Sequence, residues 1–262
     1  MDNYIRRIKL PNGKWAYEQF PDNIESAQKH ITKLEKLWTP PKYFYHFQPG
    51  GHVAAVQAHL ANNYFAKVDL KDFFRQVTRS RILRRLKQLG YPFGEADSFA
   101  AVSTIREDKE KAVFTLPFGF VQSPMLASID LDLSALGRAL PALTQECALS
   151  VYVDDIIISA DCPEAVSRAV ETIKAAAVKS NLPINEEKSA GPDMFMRAFN
   201  IDFSKDKMAV TADRFAEMKT DIEAAGPGRK SDGIAAYVAT VNAAQAQELV
   251  EEWPWLAHGD AA

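Results

Sequence analysis

Apolar and polar positions follow two different periods along this chain. Short runs rich in β-branched and aromatic residues, at 65–70 and 151–159, predict buried strands or tight hairpins. Longer segments repeat apolar residues every three or four positions, which predicts amphipathic helices at 23–37, 125–140 and 163–182 and three more beyond Thr211. The N-terminal residues predict a hairpin that turns at Pro11-Asn12-Gly13. Together these segments predict strands covered by helices, an α+β fold.

Two adjacent aspartates, Asp154 and Asp155, interrupt the apolar run at 151–159. Burying two neighbouring carboxylates is costly unless cations or hydrogen-bond donors meet them, so the pair either binds metal or caps a turn. Asp69 ends the other apolar run, and by itself it also fits a helix cap or a turn. Divalent ions shared between the two strands would stabilise all three acids, and a site made only of oxygen ligands suits Mg²⁺.

The segment at 115–140 combines a loop with the start of a helix. Pro117 and Gly119 break regular structure, and Ser123 followed by Pro124 predicts an N-cap with proline in the first turn. Apolar residues then recur at helical spacing from Met125 onward. Such a junction presents free backbone N–H groups that suit an anion or the edge of a nucleotide.

Taken in chain order, these segments and two further ones resemble the ordered motif set of reverse transcriptases. The matching stretches are FAKVDLKDFF (65–74), LPFGFVQSP (116–124), YVDD (152–155), INEEKS (184–189) and FNIDF (199–203). The resemblance implies a right-hand polymerase fold, with an antiparallel palm sheet backed by helices, short fingers and a reduced helical thumb. It places the fingers at 1–64, the palm at 65–204 with a fingers insertion at about 78–115, and the thumb at 205–262.

The resemblance also implies a role for each residue of these motifs. The catalytic residues would be Asp69, Asp154, Asp155 and Lys188, the last protonating or neutralising the departing pyrophosphate. Two Mg²⁺ ions, with Mn²⁺ as the alternative, would be held by Asp69, Leu70, Asp154 and Asp155. The expected contacts of the incoming deoxynucleotide are Phe74, Phe118, Gly119, Arg6, Arg7 and Lys14. Those of primer and template are Tyr152, Ser123, Pro124, Phe199, Asn200, Arg81, Arg84 and Arg85.

Several of these residues also fit a structural role. Phe74 would exclude a ribonucleotide 2′-hydroxyl, yet it also fits core packing beside Phe73. The arginines at 81, 84 and 85 fit a solvated helix face as well as a phosphate-binding one, and those on the N-terminal hairpin fit an edge strand. His59, ten residues before Asp69, is best interpreted as a neutral packing histidine.

The second motif departs from the family at Phe118, where glutamine is usual. A phenylalanine stacks but does not hydrogen-bond a nucleotide, so this position affects nucleotide selection or template use. The favoured function is a small prokaryotic reverse transcriptase, resembling retron and phage-defence enzymes. Its expected partners are dNTPs, an RNA template (a dedicated non-coding RNA), the DNA product, and a defence protein or a second copy. The alternatives are a template-independent DNA polymerase of the same fold and an inactive RNA-binding scaffold.

Composition adds few constraints to this interpretation. The 262 residues are 47% hydrophobic and 25% charged, as in soluble globular proteins. No apolar run approaches the ~20 residues of a membrane span, and the N-terminus does not resemble a secretory signal, so a cytoplasmic protein is expected. Two cysteines are too few for a disulfide framework or a zinc cluster. The net charge of −3 argues against nucleic-acid binding, but residues 67–90 carry eight bases against two acids.

Overall fold

The N-terminal hairpin pairs β1 (Tyr4–Lys9) with β2 (Trp15–Gln19) in antiparallel register, as the sequence predicts. The structure is a computed structural model that describes residues 3–11, 13–107, 110 and 112–258, so Asn12 at the predicted turn lies outside them. Helix α1 (Pro21–Leu37) begins two residues earlier than predicted because a proline fits the first helical turn. A short helix α2 (Gly51–Gln57) follows.

A four-stranded antiparallel sheet occupies the centre of the described chain in the order β4-β5-β3-β6. Its strands are β3 (Tyr64–Asp69), β4 (Ala148–Tyr152), β5 (Asp155–Ala160) and β6 (Ala190–Asp193). Since side chains alternate between the faces of a strand, Ala66 and Val68 point to one apolar core, whereas Asp69 and Asp155 share the opposite face. The acids therefore lie on the face away from that core.

Six helices lie between or after the strands of this sheet. They are α3 (Phe73–Gln76), α4 (Arg79–Gln88), α5 (Phe93–Val102), α6 (Ser123–Asp132), α7 (Ala135–Leu143) and α8 (Pro163–Lys179). The helical spacing at 125–140 predicted one helix, which is wrong, because Ser134 ends α6 and caps α7. Its Oγ donates to the Leu131 carbonyl at 2.6 Å and accepts from the Gly137 N–H at 3.1 Å. Helices α6 and α8 cover the sheet face opposite the acids.

The C-terminal part combines the three predicted helices with a small three-stranded sheet. The strands β7 (Phe195–Ala198), β8 (Ile201–Ser204) and β9 (Lys207–Val210) are antiparallel neighbours. They pack with α9 (Ala212–Ala225), α10 (Arg229–Val241) and α11 (Ala243–Glu252) in a second apolar core. Thr211 is the N-cap of α9, but its side chain makes no capping hydrogen bond. The predicted domain boundaries remain predictions.

His59 is a buried packing residue, as the sequence analysis expects. Its Nδ1 lies 2.7 Å from Ser159 Oγ and its Nε2 lies 2.8 Å from Ser150 Oγ, which joins the segment after α2 to β4 and β5. Burial lowers the pKa of His59 to about 3, so the ring is neutral at physiological pH. Among the described helices, none has both the length and the apolar character to cross a membrane.

Candidate active site

Three carboxylates meet at one end of the central sheet. Asp69 and Asp155 are direct cross-strand partners in the β3–β5 register. Asp154 lies in the two-residue turn between β4 and β5, and its carbonyl accepts a hydrogen bond from the Leu70 N–H at 2.9 Å. The other turn residue, Val153, has a φ of 58°, a conformation that costs a β-branched residue free energy. The sequence-predicted acids are therefore brought together.

The environment of these acids disfavours their negative charge. Burial, followed by the charge of Asp154, raises the pKa of Asp155 to about 6. Burial is also the main cause of the raised pKa of Asp154, and the neighbouring Asp69 adds to it. Oδ1 of Asp155 is buried without a hydrogen-bond donor among the described residues, and Lys67 Nζ lies 3.9 Å from it. A cation placed among these carboxylates would relieve their repulsion.

The residues present fit a divalent cation by their chemistry. Carboxylate and carbonyl oxygens are the ligands that Mg²⁺ prefers, and Leu70 has only its carbonyl to offer. Among the described residues, however, no three His, Cys, Asp or Glu side chains are already arranged around one metal position. The carboxylates are adjacent, therefore, but do not form a preassembled three-ligand set.

The INEEKS segment is tied directly to the strand that carries Asp69. The Asn185 N–H donates to the Asp69 carbonyl at 2.8 Å, and the Asp69 N–H donates to Ser189 Oγ at 3.2 Å. These contacts bring Lys188, an exposed residue, near the acids, and its charge offsets a small part of the rise that burial causes in the pKa of Asp154 and Asp155. Ser189 was not a sequence-predicted site residue, because a serine after a lysine carries no distinctive pattern.

The N-terminal hairpin docks on the loop that holds Phe118. The Tyr17 N–H donates to the Phe118 carbonyl at 2.8 Å. Gly119 has a φ of 100°, and a Cβ there would lie 2.5 Å from the Tyr17 carbonyl oxygen, so this contact requires glycine. The Phe118 ring lies between Phe74, at 4.8 Å between centroids, and Lys14, whose Nζ is 4.9 Å from its centroid. Four predicted nucleotide contacts therefore lie together.

The two arginines of the hairpin have other partners. Arg6 forms an ion pair with Glu18 across the hairpin, and the Arg7 guanidinium lies over the Trp15 ring at 4.4 Å. The charge of Lys14, by contrast, offsets part of the rise that burial causes in the pKa of Asp154. Of the three basic residues predicted to contact the nucleotide, Lys14 is thus the one whose charge acts on the acids.

Four aromatic side chains, His52, Tyr152, Phe199 and Tyr237, form what we call the aromatic platform. Ring centroids are 5.1 Å apart for Tyr152–Phe199 and 5.7 Å apart for both His52–Phe199 and His52–Tyr237. His52 Nε2 lies 3.2 Å from the Tyr237 hydroxyl. The platform lines an open pocket of about 520 Å³ that also contains Asn200, Arg214 and Lys230. His52 and Tyr237 come from distant segments, which the sequence pattern did not connect.

A chain of hydrogen bonds anchors the turn that carries Asp154. The Val153 N–H donates to His46 Nδ1 at 3.2 Å, and His46 Nε2 lies 2.7 Å from Ser128 Oγ. Ser128 Oγ in turn donates to the Pro124 carbonyl at 2.8 Å. Burial lowers the pKa of His46 to about 4, so the neutral ring accepts from Val153 and donates to Ser128. No pattern in the sequence marks His46 as part of the site.

Ser123 departs from its predicted role. The structure places Gln122 at the N-cap of α6 and Ser123 one residue further on, fully buried. Ser123 Oγ has no hydrogen-bond partner among the described residues. A contact between Ser123 and primer or template is incompatible with this burial, whereas Pro124 is exposed.

The predicted arginine face of α4 is divided between two roles. Arg81 Nε and Arg85 Nε each lie 2.8 Å from a carboxylate oxygen of Asp130, which is fully buried. Two of the three arginines predicted to contact primer or template therefore also pair with an internal carboxylate, which their helical spacing did not indicate, and their contact with nucleic acid stays a prediction. Arg84 is exposed.

Sequence comparison adds independent information to this geometry. Residues 18–210 match the family described as Reverse transcriptase (RNA-dependent DNA polymerase). The chain is 22% identical over 202 residues to the Retron Ec86 reverse transcriptase of Escherichia coli, covering 73% of this chain and 60% of that protein. It is 29% identical over 182 residues to the Retron Mx65 reverse transcriptase of Myxococcus xanthus, covering 63% and 42% respectively. The chain thus spans less than two thirds of the length of either relative.

Solved structures show the same fold at low sequence identity. A foamy viral protease–reverse transcriptase in complex with double-stranded DNA has a TM-score of 0.54 and 18% identity, covering 90% of this chain and 36% of that one. Telomerase from Candida albicans has a TM-score of 0.54 and 10% identity, covering 87% and 46%. The expected right-hand polymerase fold of the α+β class is confirmed.

Proposed function

This chain belongs to the reverse transcriptase family, and on that premise we propose that it is an RNA-directed DNA polymerase that adds deoxynucleotides to a 3′-hydroxyl. The observation that carries the proposal is the cross-strand pair of Asp69 and Asp155 with Asp154 in the adjoining turn. These acids share one end of the sheet with Lys188, which lies near them through the contacts of Asn185 and Ser189.

We propose Mg²⁺, or Mn²⁺ in its place, as the cofactor held by Asp69, Asp154, Asp155 and the Leu70 carbonyl. When bound, two such ions would activate the 3′-hydroxyl and stabilise the leaving oxygen of an in-line phosphoryl transfer. Asp155, with its raised pKa and a buried oxygen that has no donor among the described residues, has the most to gain from a cation. Lys188 would neutralise or protonate the departing pyrophosphate.

The nucleotide would be held by the Phe74–Phe118–Lys14 group beside the acids. Lys14 supplies positive charge for the triphosphate, and its position over Phe118 is fixed by docking of the hairpin at Gly119. Phe74, 7% exposed, presents an aromatic surface that would leave no room for a 2′-hydroxyl. Since Phe118 cannot hydrogen-bond a templated nucleotide, template-independent DNA synthesis is the second candidate function.

The partners that we propose are an RNA template, the DNA product and dNTPs. The two relatives compared above are named as retron reverse transcriptases, which supports a retron-type system with a dedicated non-coding RNA. We further propose an anti-phage role in the cytoplasm, with a defence protein or a second copy of this chain as partner.

The proposed function is tested by primer extension with purified protein, a primed RNA template, Mg²⁺ and labelled dNTPs. We expect extension that depends on the template and on the divalent ion. Extension without template would favour the second candidate. Failure to incorporate dNTPs on any template, with or without RNA that co-purifies from the host, would reject polymerase activity and leave a scaffold role.

We predict that the aromatic platform binds the terminal base of the primer by stacking. Stacking of a base on an aromatic side chain contributes roughly 1–3 kcal/mol, so Tyr237→Leu is expected to raise the KM for primer about tenfold with little change in kcat. Tyr237→Phe keeps the ring and loses the contact of its hydroxyl with His52, which makes it the matched control. Steady-state kinetics at varied primer concentration measure both variants, and an unchanged KM for Tyr237→Leu would contradict the role.

A further inference from the structure

A basic pocket lies where α4, the start of α7 and the end of α8 meet. Its volume is about 310 Å³, and five of its ten lining residues are basic while none is acidic. The basic residues are Arg81, Arg84, Arg85, Arg138 and Lys179. Such a concentration contrasts with the net charge of −3 of the whole chain. The pocket therefore has the electrostatics of an anion site.

The inner wall of the basic pocket is held rigidly. Asp130 is fully buried, and its oxygens lie 2.6 Å from Arg81 Nη2 and 2.8 Å from Arg85 Nε. Arg81 Nη1 also donates to the Ser180 carbonyl at 2.7 Å. Because one carboxylate faces two guanidinium groups, the wall keeps an excess positive charge at side chains that are about 14% and 13% exposed. An anion in the pocket would compensate this charge.

The outer rim adds three exposed cations, Arg84, Arg138 and Lys179. None of them has a carboxylate partner within the part of the chain that the structure describes. Arg138 Nη1 donates to the Leu133 carbonyl at 3.0 Å, which turns the guanidinium toward the start of α7. Arginine binds phosphate through two parallel N–H groups, so this rim suits a phosphate group in particular.

The basic pocket and the proposed catalytic acids lie on different sides of the central sheet. Helix α8 packs on the face that carries Ala66 and Val68, whereas Asp69 and Asp155 occupy the other face. A nucleic-acid strand at the acids would therefore have to leave the active site to reach the pocket. The pocket lining contains no aromatic residue, so it offers contacts to the sugar-phosphate backbone and no stacking surface for a base.

We propose that the basic pocket and its rim bind successive backbone phosphates of RNA outside the active site, and so hold the part of the template that is not being copied. The identity of the strand as RNA rests on the proposed function, while the affinity for phosphate rests on the pocket itself. Binding through phosphate alone is independent of base sequence and depends on salt.

The test compares two triple variants that remove the same positive charge. Arg84→Gln, Arg138→Gln and Lys179→Gln alter the pocket rim, and Lys36→Gln, Lys42→Gln and Lys205→Gln alter exposed lysines outside it. Fluorescence anisotropy measures binding of a labelled hairpin RNA with a single-stranded extension, at several salt concentrations. For the pocket variant we expect binding weakened by about tenfold or more, and a slope of log K against log salt reduced by about 2, from three contacts of roughly 0.7 each.

Three results would overturn the proposal. The first is an unchanged affinity and salt slope in the pocket variant, and the second is an equal loss of RNA affinity in the lysine control. The third is displacement of the RNA by inorganic phosphate at low millimolar concentration, which would indicate a site for a small anion. If the triple variant unfolds, the same binding measurement is made on the single variant Arg84→Gln. Extension of a short primer–template that ends at the active site is measured in parallel. If wild type never extends it, polymerase activity fails while the RNA-binding comparison still decides the pocket.

Discussion

Replacing Asp154 with asparagine is expected to lower kcat for primer extension by about a thousandfold or more, corresponding to roughly 4 kcal/mol of lost transition-state stabilisation. The substitution keeps the size of the side chain and the backbone contact with Leu70, and removes only the charge. Because the pKa of Asp154 is raised, its ionised form destabilises the folded protein at neutral pH without a cation. Asp154→Asn should then be at least as stable as wild type.

Single-turnover extension and urea denaturation, both without and with Mg²⁺, measure these two expectations. Asp161→Asn is the matched control, since Asp161 follows β5, is exposed, and accepts a hydrogen bond from Asn63 at 2.8 Å. It should extend primers as wild type does. Substantial extension by Asp154→Asn would show that the carboxylate is not part of the reaction, whereas lost activity with lost stability would show only that the turn had unfolded.

The sequence was sufficient to predict that the three acids lie near one another, because strand periodicity and motif order describe local structure. Asp69 was predicted at the end of one apolar run, and Asp154 and Asp155 were predicted as a pair inside another, and the antiparallel pairing of the two strands makes Asp69 and Asp155 neighbours. Lys188 followed from the order of the motifs, although the bonds that position it, from Asn185 and Ser189 to Asp69, carry no pattern of their own.

The residues that the sequence missed depend on contacts between distant segments. His46, in a short 3-10 helix, supports the turn through Val153, and His52, in α2, completes the aromatic platform, yet neither belongs to a sequence pattern that connects it to the site. For the arginines of α4, by contrast, the sequence did show a pattern, but the pattern did not reveal their partner. Their helical spacing indicated an exposed basic face. Asp130 lies 49 and 45 residues from Arg81 and Arg85 in sequence, so its ion pairs with them form only in the tertiary structure and no local pattern predicts them.

Replacing Phe74 with alanine is expected to reduce the preference for dNTPs over rNTPs by about a hundredfold, because the aromatic ring would no longer exclude the 2′-hydroxyl. Phe74 is also part of the core, packed against Phe118, and removing a buried phenylalanine costs about 3–5 kcal/mol of stability. Phe74→Val, which leaves a smaller cavity, is therefore measured beside it. The measurement is the ratio of kcat/KM for matched dNTP and rNTP.

A variant of the neighbouring Phe73 distinguishes the two possible roles of Phe74, a steric gate and a packing residue. It is 2% exposed and its ring lies 6.1 Å from that of Phe74, so Phe73→Val creates a comparable cavity in the same core. If Phe74 is a steric gate, Phe74→Val loses sugar discrimination while Phe73→Val keeps it and loses only stability. If Phe74→Val and Phe73→Val both discriminate against rNTPs as strongly as wild type, Phe74 supports Phe118 without facing the sugar. Selection against ribonucleotides would then arise elsewhere in the pocket.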